Sequence, residues 1–219
     1  MNRLALFDCD GTLVDSQANI CLAMEDAFAR QRLEPPARLA IRRIVGLSLV
    51  EAVAALLPDA EDALHRVMAE DYKNAYFRLR TGGQMDDEPL YDGIADAIEA
   101  LDASGWMLGV ATGKSDRGLL RLLDHHGLRH RFITLQTADR HPSKPHPSMI
   151  ETAMADAGAS PATTVMIGDT SFDMEMARTV GAHAIGVAWG YHDAEELLAA
   201  GARVVIDDAA LLHGHMENL

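Results

Sequence analysis

Asp8 and Asp10 close the first apolar run of the chain, Leu4-Ala5-Leu6-Phe7, and Gly11-Thr12 follow at once. A short apolar run reads as a buried strand, and a glycine just past it as the turn where the chain leaves a sheet. Side chains alternate along a strand, so residues two apart can share a face and the two carboxylates can converge on one small volume. Like charges held that close are costly. They are tolerated where a cation sits between them or where one is protonated, and both conditions belong to catalytic or metal sites. Cys9, between the two acids, should point to the opposite face of the strand, into core, as a small hydrophobe.

Three later stretches carry compatible chemistry. In Ala111-Thr112-Gly113-Lys114, a hydroxyl and a run of backbone N–H groups precede a helix that starts near Ser115-Asp116, a geometry that favours an anion. Thr112 can equally cap that helix, and Lys114 and Ser115 read as surface and cap residues rather than site members. Lys144 stands in Pro142-Ser143-Lys144-Pro145-His146-Pro147, where three prolines fix the backbone around an ammonium group. Gly168-Asp169-Thr170-Ser171-Phe172-Asp173 puts Asp169 at a strand end and Asp173 about one helical turn further, an oxygen-ligand set suited to Mg²⁺. Asp173 also suits a first-turn acid that answers the helix dipole. The histidines do not form a zinc set: His125, His126 and His130 lie near a helix end, His213 and His215 in a polar tail, without cysteines or acids at metal-site spacing.

The elements that must position these groups alternate. After a strand at 3–8 comes a long helical block over residues 17–80, with Ile20, Met24, Ala27 and Phe28 on one helix-period stripe and Leu64, Val67, Met68, Tyr72, Ala75 and Leu79 on another. From Tyr91 onward the pattern predicts helix 91–104, strand 106–111, helix 115–126, strand 131–135, helix 147–158, strand 163–168, helix 172–180, strand 184–188 and a last strand at 203–206. Such alternation calls for a parallel sheet with helices on both faces. The first strand must join that sheet, so the helical block is an insert. The expected division is a catalytic core of residues 1–14 and 89–219 and a helical domain of residues 15–88, with Val14 to Gln17 and Thr81 to Pro89 as hinges. Ligands of open α/β sheets bind beyond the carboxyl ends of the strands, where all four chemical stretches fall.

With 219 residues and 48% hydrophobic content the chain can bury a proper core. Its 19 Lys and Arg against 33 Asp and Glu give a formal net charge of −14, which argues against nucleic acid or an anionic membrane as partner. Two cysteines are too few for a disulfide framework, and no segment has the apolar length of a membrane span or signal peptide, so a cytoplasmic protein is expected. Either a monomer or a homodimer is compatible with the sequence.

Taken in order, Asp8-Cys9-Asp10-Gly11-Thr12, Thr112, Lys144 and Gly168-Asp169-Thr170-Ser171-Phe172-Asp173 resemble the four motifs of the haloacid dehalogenase-like superfamily of aspartate-nucleophile phosphohydrolases, over the whole chain. The insert between the first two motifs looks like the subfamily with a small α-helical cap, and the layout is similar to phosphoglycolate phosphatases. The resemblance implies a Rossmann-like three-layer core and a Mg²⁺-dependent phosphatase acting on a small phosphorylated metabolite. It makes Asp8 the nucleophile, Asp10 the general acid and base, and Thr112 and Lys144 the holders of the phosphoryl oxygens. Mg²⁺ would be held by Asp8, the backbone carbonyl of Asp10, Asp169 and, through water or by orienting the shell, Asp173. Gly113 and Arg43 are expected on the substrate, with Arg43 or Arg42 meeting a second anionic group such as the carboxylate of phosphoglycolate. A sugar-phosphate mutase or a pyrophosphatase would keep the same core residues; a phosphoacceptor or binding module is the non-enzymatic alternative.

Overall fold

The apolar runs of the sequence become strands of one parallel sheet in the computed structural model, which describes residues 2–218. β1 (Asn2–Phe7), β2 (Met107–Thr112), β3 (Phe132–Thr137), β4 (Ala159–Gly168), β5 (His183–Val187) and β6 (Val204–Ile206) lie in the order β3-β2-β1-β4-β5-β6. The strand order reverses on either side of β1, and the crevice at such a switch point is where open α/β sheets bind ligands. In register, Phe7 stands beside Val110 of β2 and Ile167 of β4, so the chain segments that follow these strands emerge side by side.

Alternation along β1 divides the core. Ala5, Phe7 and Cys9 face a cluster with α5 (Ile94–Ala103), α6 (Asp116–His125) and α10 (Leu211–Glu217), whereas Leu4 and Leu6 face α7 (Ser148–Ala157), α8 (Ser171–Val180) and α9 (Ala194–Ala200). Helices therefore cover both faces, as a parallel sheet requires. Two of them, α9 and α10, were not legible as helices. Helix α9 is only seven residues long and is started by a capping box of Asp193 and Glu196; α10 occupies the expected polar tail and buries just Leu212 and Met216, an i,i+4 pair. Strand β4 begins four residues earlier than expected, through Ala159-Ser160-Pro161-Ala162, a stretch without apolar alternation that pairs only weakly with β1 across a register shift.

Between β1 and β2 stand α1 (Gln17–Arg30), α2 (Arg38–Arg43), α3 (Leu49–Leu56) and α4 (Asp62–Thr81). They share their own apolar cluster of Ile20, Met24, Phe28, Ile41, Val53 and Met68, separate from the two that sandwich the sheet. The two connections to the sheet run alongside each other: Asp15 N donates to Pro89 O at 3.0 Å, Tyr91 N to Leu13 O at 3.0 Å, and Val14 bridges Leu90 in antiparallel fashion. Among the described residues no helix is long and apolar enough to cross a membrane.

Candidate active site

Three carboxylates meet beyond the ends of β1 and β4. Asp8 follows Phe7 directly and extends the ladder, its N–H donating to Ile167 O at 2.9 Å. Asp169 follows Gly168, and Asp173 comes back from the first turn of α8. One oxygen from each of Asp8, Asp169 and Asp173 lies within 4.8 Å of the others, and all three residues are buried. Glycines make that approach feasible. A Cβ at Gly168 would fall 2.5 Å from Asp173 Cγ, one at Gly11 2.2 Å from Asp169 Oδ2, and one at Gly190 2.1 Å from Asp169 Cβ.

Lys144 answers this charge from the proline-rich loop. Its ammonium, fully buried, sits 2.9 Å from Asp8 Oδ1 and donates to Asp173 Oδ1 at 2.6 Å. Asp173 Oδ2 accepts from Thr170 N at 3.2 Å and from Thr170 Oγ1 at 2.7 Å, so Asp173 is at once a helix-capping acid and a member of the site. Asp169 is fixed by Thr12 Oγ1 at 2.7 Å and Tyr191 N at 2.9 Å. Both oxygens of Asp8, by contrast, are buried and accept no hydrogen bond. Its contact with Lys144 is an ion pair without hydrogen-bond alignment.

The electrostatics follow from this arrangement. Burial pushes the Asp8 carboxyl up to about 7, against the pull of the Lys144 ammonium. Burial, then repulsion from Asp8 and Asp173, holds Asp169 well above the usual carboxylate range. Burial works to lower Lys144, but the attraction of Asp173 and Asp8 carries it above its ordinary value. One ammonium is too little for three buried carboxylates, and Asp8 Oδ2, which has no partner, is available as a ligand. An all-oxygen donor set of this charge fits a hard divalent cation.

Asp10 is elsewhere. Its carboxylate is turned from the trio and takes a hydrogen bond from Ser16 Oγ and an ion pair from Lys114 Nζ at 2.7 Å. Lys114 is thus not the surface residue that its place after Thr112-Gly113 suggested: it is nearly buried and lines the main cavity. Burial works to lower its pKa, but Asp10 first, then Tyr76, Cys9 and Glu88, carry it well above the ordinary lysine value. The signal for it was charge balance, since four acids at one sheet edge call for more than one cation. Ser115 does cap α6, accepting from Gly118 N at 3.2 Å. Thr112, buried at the end of β2, accepts the Lys114 N–H at 3.2 Å and keeps its hydroxyl proton to donate.

Gly113 lines the cavity at a close approach between the loop after β2 and the inserted helices. A Cβ there would lie 2.7 Å from Leu47 O and 2.9 Å from Gly46 O, in the connection between α2 and α3. Arg43 does not reach the cavity. Its guanidinium pairs with Glu196 and, at 3.3 Å, with Asp193, both at the start of α9. The helix end that carries it faces the start of α9, so the guanidinium expected on the substrate is engaged there instead of lining the cavity. Arg42 is drawn to the Asp169 side, over the Tyr191 ring at 5.7 Å and toward Gly190 O at 3.4 Å.

A family model described as haloacid dehalogenase-like hydrolase matches residues 5–187. The chain is 37% identical to the probable phosphatase IndB of Dickeya dadantii, over 94% of this chain and 90% of that protein. It is 30% identical to a phosphoglycolate phosphatase of Pseudomonas putida, over 97% of this chain and 79% of that one. Among solved structures, a hydrolase from Pseudomonas syringae superposes with a TM-score of 0.86 at 27% identity, covering 100% of this chain and 99% of the other.

Proposed function

Because the chain belongs to the haloacid dehalogenase-like hydrolase family, we propose that it is a Mg²⁺-dependent phosphatase that hydrolyses a phosphate monoester through an aspartyl phosphate on Asp8. The observation that carries this reading is Asp8 itself, a buried carboxylate whose Oδ2 has no partner and whose Oδ1 meets only the buried ammonium of Lys144.

In the first half-reaction an oxygen of Asp8 attacks phosphorus, the bond from phosphorus to the ester oxygen breaks, and Asp10 gives that oxygen a proton, releasing the alcohol. In the second, water attacks the phosphorus of the aspartyl phosphate, Asp10 takes the water's proton, and Asp8 is restored as inorganic phosphate leaves. Lys144 and the Thr112 hydroxyl hold the phosphoryl oxygens as charge moves between them. Asp8, Asp169 and Asp173, with the backbone carbonyl of Asp10, would hold Mg²⁺. Bound there, the ion supplies the positive charge that lets a phosphate dianion approach Asp8. The inserted helices act as a cap that excludes water, the paired connections at Asp15 and Pro89 serving as its hinge. Cys9 and Cys21, both buried and unpaired, suit a reducing cytoplasm.

Phosphate release from a panel of monoesters, with and without Mg²⁺, tests the reading against Asp8→Asn. Release that needs the metal and vanishes in the variant is expected. Release that survives Asp8→Asn would overturn the nucleophile, and none from folded protein across the panel would overturn the hydrolase.

A further inference from the structure

A cavity of about 730 Å³ is lined at one end by Asp10 and Lys114 and extends beneath the inserted helices, without including Asp8, Asp169 or Asp173 in its lining. That volume lies within the roughly 300–1,000 Å³ typical of sites that engulf drug-sized ligands. A two-carbon acid would leave most of it to water.

Most of its wall surface is apolar, with charged side chains interspersed. Ile20 and Met24 of α1, Leu47 of the α2–α3 connection, and Tyr72, Tyr76 and Phe77 of α4 line it. The Tyr72 and Tyr76 rings stand at i,i+4 with centroids 6.0 Å apart, presenting a continuous aromatic surface. Five cations also line it, each with a neighbour: Lys114 pairs with Asp10, Lys73 with Glu70 at 2.7 Å, and Arg121 lies over the Tyr76 ring at 5.9 Å. Arg80 pairs with Glu88 at 2.9 Å and lies over the Tyr76 ring at 5.2 Å, while Arg117 stacks over Phe77 at 4.7 Å. Arg43, one of the two arginines expected to meet a second anionic group, is held by Glu196 and Asp193 outside the cavity. The space next to the acid that protonates the leaving oxygen is therefore built to dehydrate apolar surface.

Resting on the phosphatase reading, we propose that the substrate is the phosphate monoester of a bulky, mostly apolar, ring-bearing alcohol, with the ring against Tyr72, Tyr76 and Phe77 and the ester oxygen toward Asp10. Discrimination comes from water released when the ring fills the cavity. A hydrophobic pocket typically gains about 10–200-fold in kcat/KM for each methylene-sized group it dehydrates well.

The test compares 2-phenylethyl phosphate, ethyl phosphate and phosphoglycolate, whose leaving groups are all alkoxides, by kcat/KM with Mg²⁺. The same three are titrated calorimetrically into Asp8→Asn, which binds without turnover. At least about a tenfold preference for the ring-bearing ester over the other two is expected in both measurements. Tyr72→Ala should bring the ratio toward one, and so should Phe77→Ala at a half-exposed site where folding is not at stake. Equal or better use of phosphoglycolate or ethyl phosphate overturns the substrate class while leaving the phosphatase standing. A binding preference for the ring in Asp8→Asn without release by the native protein upholds the class and removes the phosphatase. If none of the three is bound or hydrolysed, both fall.

Discussion

Lys114 Nζ stands 2.7 Å from Asp10 Oδ1, on the cavity side of a carboxylate that takes no part in the cluster of Asp8, Asp169 and Asp173. With Ser16 Oγ donating to the same oxygen, the pair fixes where the Asp10 carboxylate can deliver or receive a proton. Lys114→Met removes the charge and keeps most of the length. It is expected to lower kcat by roughly 10–100-fold, the scale of loss that follows a misplacement of about 1 Å at a reacting group. Steady-state kinetics with Mg²⁺ check this, and activity within about twofold of native would show that Ser16 alone positions the acid.

Asp8 supplies a pH dependence whose sign is fixed. Its ordinary value is 3.8 and its carboxyl in the folded chain is pushed up to about 7, chiefly by burial, so the folded state holds this proton more tightly than the unfolded one. The resulting stabilisation is complete below the ordinary value and is lost as pH climbs toward 7. In chelator-treated protein, Asp8→Asn should therefore melt higher than native at pH 8, and the gap should close toward pH 5. A difference of a few degrees is expected, since about 1 kcal/mol moves Tm by roughly 2–4 °C at this size. Mg²⁺ should raise the native Tm more at pH 8 than at pH 5.5, because the cation replaces that proton; differential scanning calorimetry with and without the ion reads both effects.

How far the sequence disclosed the site depended on where each residue's reason lay. Asp8, Lys144 and Asp169 were visible because each sits where a strand end or a proline-fixed loop leaves one conformation, and their placement in the structure follows directly. Lys114 and Ser16 were not, because what recruits them is Asp10, a neighbour in space whose carboxylate turns away from the position that strand alternation allows for it. The surroundings of Arg43 were hidden for a related reason. Helix periodicity says which face a residue occupies, but not that α9 would bring Glu196 and Asp193 to that face, and α9 itself was too short to be read. A parallel sheet covered by helices on both faces was within reach of alternation alone; the long-range pairings of charged side chains were not.

Gly190 ties the loop after β5 to metal affinity. Any Cβ there would lie 2.1 Å from Asp169 Cβ and 2.4 Å from its Oδ2, so Gly190→Ala must displace the carboxylate. Mg²⁺ affinity by titration calorimetry should fall roughly 10–100-fold, the usual scale when the groups that orient a ligand are disturbed. Gly214→Ala serves as the control. That glycine lies within α10 with nothing within 4 Å of an added Cβ, and the change should leave affinity intact while stabilising the helix by about 0.5–1 kcal/mol. Equal affinities in the two variants would separate Gly190 from the metal.

Arg43 decides between two accounts of substrate recognition. Its partners Glu196 and Asp193 are themselves largely solvated, and ion pairs of that kind contribute roughly 0–1 kcal/mol. If the guanidinium serves only to tie α2 to α9, Arg43→Ala should leave Tm within a few degrees of native and move KM for phosphoglycolate by less than about threefold, as loss of a solvated pair predicts. If instead it swings to a substrate carboxylate, the loss of a charged hydrogen bond should raise KM by roughly 10-fold or more at unchanged kcat, because binding is lost equally from ground and transition states. The cavity geometry favours the first result: Arg43 is outside it, and reaching inward would strip both α9 acids of their cation.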